Sequence, residues 1–150
     1  MSSTYTRTIY QIVFSTKHRA PVLIGSEPRE ELFRYMGGII KNKRCTMYQG
    51  GGVEDHLHLI IGLHPSVALA SLVKDLKLAS SEFIRRTELF PDFQHWQVGY
   101  GAFTYTPDAL RNLVPYVQNQ VDHHRKEKSP DELRRLLHEN GIKFDERYLE

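Results

Sequence analysis

The stretch Glu54-Asp55-His56-Leu57-His58-Leu59-Ile60-Ile61-Gly62 decides how the chain is read. It alternates in character, follows Gly50-Gly51-Gly52 and ends on a further glycine, which is the pattern of a β-strand. On a strand, residues two apart share a face, so His56 and His58 point the same way, about 7 Å apart along the backbone. Leu57, Leu59, Ile61 and Leu63 line the opposite face and are fit to bury against helices. Two imidazoles side by side on a rigid strand can bind one divalent metal. Histidines at this spacing also occur as packed or solvated side chains, so a metal site needs a third ligand and a nucleophile from elsewhere in the chain.

Upstream, residues 8–16 are β-branched and aromatic and predict a first strand with Tyr10, Ile12 and Phe14 on one face. Pro21 and Gly25 break the chain, and Ser26 is the expected N-cap of a helix reaching about Asn42. Leu32, Phe33, Met36, Ile39 and Ile40 give that helix its apolar stripe. Cys45–Gly50 predicts a second strand, paired with the histidine strand as an antiparallel hairpin whose register is set by the loop glycines or a bulge.

Downstream, Ser66 is the expected cap of a long helix whose stripe, Leu69, Leu72, Val73, Leu76, Ala79, Ser80 and Phe83, reads as core packing. Trp96 to Tyr105 predicts a fourth strand, with Trp96 and Tyr100 in the core. The order β-α-β-β-α-β is the ferredoxin-like arrangement, an α+β fold with both helices on one sheet face. His56 and His58 are then expected on the other, open face, within reach of a substrate.

The chain beyond residue 105 predicts helices added to that core. Thr106-Pro107-Asp108 starts one, and Pro115 is expected to interrupt it directly before Tyr116, giving segments 107–113 and 115–126. Ser129-Pro130-Asp131-Glu132 caps a last helix carrying Leu133, Leu136 and Leu137 and ending at Gly141. On the segment from Tyr116, Gln120 lies one turn on and shares its face, while Val117, Val121 and His124 follow a neighbouring face. Alone, such a helix is most simply a surface element with a packed Tyr and a solvated Gln.

The chain has 150 residues, which predicts one domain over 1–150 that can bury a sizeable core unaided. A single cysteine, Cys45, excludes an internal disulfide framework and fits a reducing cytoplasm. The start of the chain lacks the apolar run of a signal peptide, and no stretch nears the roughly 20 apolar residues of a membrane span, so no membrane partner is expected. The net charge of +2 implies little by itself. Local basic clusters permit a polyanionic partner, with Lys17, Arg19, Lys74, Lys77, Arg85 and Arg86 as candidate phosphate contacts.

Taken together, these motifs resemble the single-tyrosine HUH transposases of bacterial insertion sequences, small enzymes acting on single-stranded DNA. The resemblance runs through Phe14-Ser15-Thr16-Lys17-His18-Arg19-Ala20-Pro21-Val22-Leu23, Asp55-His56-Leu57-His58-Leu59, Gly99-Tyr100-Gly101-Ala102-Phe103, Tyr116-Val117-Gln118-Asn119-Gln120 with His123-His124, and Tyr148-Leu149. It implies Tyr116 as nucleophile, His56 and His58 as metal ligands, and Gln120 as the third ligand. Such a set suits Mg²⁺ or Mn²⁺ better than a closed Zn²⁺ site. It further implies a 5′-phosphotyrosine intermediate with a free 3′-OH, hairpin ends of an insertion sequence as substrate, and a homodimer. Pro115 before the nucleophile suits a Tyr helix that serves the partner's site.

Three rivals stand beside it. A domesticated relative cutting genomic repeat hairpins would carry the same catalytic residues. A non-catalytic single-stranded nucleic-acid binder would want aromatic side chains where this sheet has His56 and His58. A phosphohydrolase with paired histidines would want a second His motif on a facing strand, and His64 and His95 stand alone.

Overall fold

A computed structural model describes residues 3–145; Tyr148-Leu149 lie outside the described residues. Four strands, β1 (Thr8–Ser15), β2 (Thr46–Gly52), β3 (His56–Leu63) and β4 (Gly101–Tyr105), form one sheet in the order β2-β3-β1-β4. All three pairings are antiparallel. Helices α1 (Ser26–Asn42) and α2 (Leu69–Thr87) connect β1 to β2 and β3 to β4, so the β-α-β-β-α-β order expected from the sequence is the one observed. Three further helices follow β4: α3 (Leu110–Gln118), α4 (Gln120–His123) and α5 (Ser129–Glu139).

The alternation read in the histidine strand divides the sheet into two faces. Leu57, Leu59 and Ile61 join Ile12 and Phe14 of β1 against Leu32, Phe33, Met36 and Ile40 of α1 and Leu72, Val73 and Leu76 of α2. Removing this apolar surface from water, at about 25 cal/mol per Å², is what holds the two helices to the sheet. The second face carries His56, His58 and Ile60 of β3 with Ile9, Gln11 and Val13 of β1.

This second face is not open. α3 covers Ile9 and Ile60 with Leu113 and Val117, and α5 covers Val13 and Phe103 with Leu136. His56 is 2% exposed and His58 fully buried. The physical reason is that the imidazoles share their face with Ile9, Val13, Ile60 and Phe103, and so much apolar surface is not left in water when the chain supplies two amphipathic helices to cover it.

The close approach of α3 depends on Gly51. The glycines read as a loop are the last residues of β2, and the bulge lies earlier, between Met47 and Gln49. A Cβ on Gly51 would stand 1.7 Å from the Val117 carbonyl oxygen, so only glycine lets α3 lie on the strand there.

Other boundaries differ from expectation. β4 is shorter, because Gly99 adopts φ 88° and only an isolated bridge pairs Trp96 with Thr16. Trp96 is in the core, edge-on to Phe14 at 4.9 Å, whereas Tyr100 is 42% exposed. Gly25, Ala68 and Lys128 are the residues before α1, α2 and α5, in place of the expected serine caps; Ser66 instead bonds His64 Nδ1 at 2.7 Å. The break expected before Tyr116 comes after it. Pro115 sits inside α3, since its fixed φ is itself helical and only one hydrogen bond is lost. The helix leaves regular geometry at Asn119, φ −100° and ψ 31°, and resumes at Gln120.

Candidate active site

β3 projects His56 and His58 towards α3, α4 and α5, and each imidazole is fixed from behind. His56 Nδ1 donates to Asp55 Oδ1 at 2.7 Å, and Ser129 at the start of α5 donates to the same oxygen at 3.2 Å. His58 Nδ1 donates to Gln11 Oε1 at 2.7 Å, while Gln11 Nε2 donates to Tyr105 Oη at 2.8 Å. These bonds place the proton on Nδ1 of both rings and turn both Nε2 atoms to the centre of the site, the arrangement that prepares imidazoles for metal binding.

The centre is filled by Glu132 of α5, 2% exposed. Its Oε1 lies 3.1 Å from His56 Nε2, 2.9 Å from His58 Nε2 and 3.0 Å from His124 Nε2. Its Oε2 accepts a short hydrogen bond from Tyr116 Oη and a longer one from Gln120 Nε2 at 3.3 Å. Arg135, one turn along α5, donates to Tyr116 Oη at 2.6 Å and also holds Glu127 at 3.1 Å. His123 Nε2 bonds Glu127 at 2.8 Å on the same side.

Electrostatics follow from this packing. Burial alone would push the Glu132 carboxyl up, but the imidazoles of His124, His56 and His58 drawn up to it hold it well below the usual carboxylate range. Burial takes His58 down to about 4, only partly offset by Glu132. His56 is also penalised by burial, yet its bonds to Asp55 and Glu132 raise it above the ordinary value. The difference lies in what backs each ring, a carboxylate for His56 and a neutral amide for His58. Burial, then the bond and charge of Glu132, push the Tyr116 phenol above its ordinary value, with Arg135 pulling the other way.

Ligand atoms of His56, His58, His124 and Glu132 lie within 4.8 Å of one another. Two neutral-type Nε2 lone pairs and a carboxylate oxygen turned to one point fit a divalent cation by donor chemistry. Beside them a cavity of about 230 Å³ reaches His56 and Glu132 and is lined also by Arg19, Gln97, Tyr100 and Ser129.

The expected site residues are thus distributed unevenly. His56, His58, Tyr116 and Gln120 come together, with the Tyr116 and His58 rings 6.0 Å apart in the same chain. Arg19 borders the cavity. Lys77 donates to the carbonyls of Gln97 and Gly99 at 2.8 and 2.5 Å, and Arg85 to that of Gln94 at 2.5 Å, so both tie down the segment before β4. Arg86 lies over the Phe83 ring. Lys74 is exposed on α2, beyond the segment Gln97 to Tyr100 from the histidines. Lys17 anchors through its backbone to His95.

Sequence reasoning missed Glu132, Arg135 and the inward turn of His124. A signal existed for the first: Glu132, Leu133, Leu136 and Leu137 follow helical spacing, which puts a carboxylate on the apolar stripe of α5. Likewise Gln120 and His124 are four apart.

Residues 4–120 match the family described as "Transposase IS200 like". The ISDra2 transposase TnpA of Deinococcus radiodurans is 24% identical over 120 residues, spanning 75% of this chain and 84% of that protein. Among solved structures, a candidate transposase from Deinococcus radiodurans R1 superposes with a TM-score of 0.63 at 22% identity, over 80% of this chain and 95% of that one. A REP-associated tyrosine transposase bound to a REP hairpin gives 0.56 at 16% identity, over 86% and 78%. The two structures share the fold, and the family match spans β1 to Gln120, both histidines and Tyr116. This chain belongs to the IS200-like transposase family.

Proposed function

We propose that this chain is a metal-dependent transposase that cuts and rejoins single-stranded DNA, with Tyr116 as nucleophile and His56, His58 and Gln120 as metal ligands. The observation that carries the reading is one shared carboxylate: Tyr116 Oη and Gln120 Nε2 donate to Glu132, and His56 Nε2 and His58 Nε2 face it at 3.1 and 2.9 Å. Nucleophile and proposed ligands therefore stand around a single side chain. A divalent ion, Mg²⁺ or Mn²⁺, supplies Lewis acidity to the scissile phosphate when bound.

The chain's own residues do the rest. Glu132 Oε2 accepts the phenol proton's hydrogen bond, and the Arg135 guanidinium faces the oxygen on which negative charge develops. As Oη bonds to phosphorus, the P–O3′ bond breaks; the phenol proton passes to solvent and the departing oxygen takes one proton from solvent to become a 3′-OH, so no net proton is gained or lost. The product is a 5′-phosphotyrosine. A phosphodiester has been exchanged for a phosphodiester, so a second 3′-OH can run the step backwards and rejoin strands. The cavity beside His56, with Arg19 and Tyr100, suits a phosphate and a base flanking the cut. Hairpin-forming ends are the proposed substrate. Two cuts need two nucleophiles, which favours a homodimer.

The test uses a labelled single-stranded oligonucleotide spanning an element end, incubated with Mn²⁺ or Mg²⁺ and run on a denaturing gel. A covalent protein–DNA band is expected, absent with Tyr116→Phe and absent after chelation. A band that survives Tyr116→Phe overturns the assignment.

A further inference from the structure

We propose that Glu132 and His124 are ligands of the same metal, so that the centre is a three-imidazole, one-carboxylate site with the Gln120 amide at its edge, closed by α5. This rests on the metal-centre reading above and extends it to residues beyond the family match, which ends at Gln120.

Hydrogen-bond roles carry the inference. Asp55 can only accept from His56 Nδ1, and Gln11 presents its carbonyl oxygen to His58 Nδ1, so neither ring has a second proton to offer while neutral. Both Nε2 lone pairs nonetheless face the Glu132 carboxylate oxygen at 3.1 and 2.9 Å. Two acceptors held against a third repel unless positive charge lies between them. His124 turns its Nε2 to that same oxygen at 3.0 Å and to Gln120 Oε1 at 3.0 Å, so the amide oxygen faces the same point. In a tetrahedral site with bonds of about 2.0–2.1 Å, ligand atoms stand roughly 3.4 Å apart. The four atoms here, all within 4.8 Å, need only small side-chain adjustments to reach that spacing.

The donor set has a consequence for metal choice. Three imidazoles favour Zn²⁺, and admit Mn²⁺ more readily than Mg²⁺, which prefers oxygen and keeps several waters. With the Gln120 amide oxygen, which faces His124 Nε2 at 3.0 Å, the chain would offer the ion five donors. Gln120, already donating to Glu132 Oε2, also steadies the carboxylate.

The experiment measures Mn²⁺ affinity by calorimetry on the chelator-treated full chain, for wild type, Glu132→Gln and His56→Ala, with circular dichroism and a thermal melt on each. Both variants are expected to weaken Mn²⁺ binding at least about tenfold, the lower end of what losing even a partner that only orients a ligand costs. If His56→Ala loses the metal while Glu132→Gln binds as well or more tightly, Glu132 is not a ligand, and the histidine reading stands without it. If His56→Ala also binds like wild type, the metal-centre reading itself fails. X-ray absorption of Zn²⁺-loaded wild type needs no variant. Three imidazoles in the first shell support the proposal, and two overturn the place given to His124.

Discussion

The two faces of one four-stranded sheet were built by opposite rules. Towards α1 and α2, Ile12, Phe14, Leu57, Leu59 and Ile61 of β1 and β3 form one apolar layer. Towards α3 and α5, apolar groups alternate with Gln11, His56 and His58, and the covering helices bring Tyr116, Gln120, His124, Glu132 and Arg135. The first face is held mainly by area, with few buried polar contacts such as Trp96 Nε1–H to Ser80 Oγ at 2.9 Å. The second is held partly by area and partly by a hydrogen-bonded network in which every buried side-chain nitrogen and oxygen of the described residues has a partner. Stability and chemistry are thereby separated: a change on one face should move mainly one of them.

The largest effect expected on the apolar face comes from Leu59→Ala, which removes a fully buried side chain. It should cost about 2–5 kcal/mol in denaturant unfolding while leaving Mn²⁺ affinity unchanged where the protein is folded. Loss of metal binding by the folded variant would break the separation. On the network face, Gly51→Ala forces the Val117 carbonyl away from β2. Strain of this kind costs about 1–3 kcal/mol, and covalent adduct formation should fall further than stability does, because Tyr116 is adjacent to Val117.

Arg135→Gln keeps a donor near Tyr116 but removes the charge. Cleavage should slow by about 10²–10³-fold, the range for one lost charge-stabilising donor, with DNA affinity nearly unchanged. An equal loss in affinity and rate would make Arg135 a binding residue instead. The smallest effect lies on α1: a Cβ at Gly38 meets nothing within 4 Å. Gly38→Ala should stabilise the fold by about 0.5–1 kcal/mol in the same unfolding assay, with no change in cleavage.

The same contrast explains what could be read in the sequence. The apolar face announces itself by period: alternation in β3, a helical stripe in α1 and another in α2, so the ferredoxin-like order was legible. The roles expected of His56, His58, Tyr116 and Gln120 came from the family resemblance; either spacing alone reads as packed or solvated side chains. Glu132 was not, because its role arises only when α5 folds back onto a strand 76 residues away. The covering of the histidine face was missed for a related reason. A sequence shows that Ile9, Val13 and Ile60 are apolar, but not which helix returns to cover them. Pro115 misled in the other direction: it marks a lost hydrogen bond, whereas the irregular turn falls at Asn119, where nothing in the sequence demands it.

All of this turns on one oxygen, Tyr116 Oη, and the most direct measurement locates the DNA linkage on the chain. The covalent adduct is digested with protease and nuclease, and the modified peptide is sequenced by tandem mass spectrometry. The expected result is a single modified peptide carrying a nucleotide phosphate on Tyr116. A linkage on Tyr105, Tyr100 or any other side chain would contradict the assignment of Tyr116 as the nucleophile.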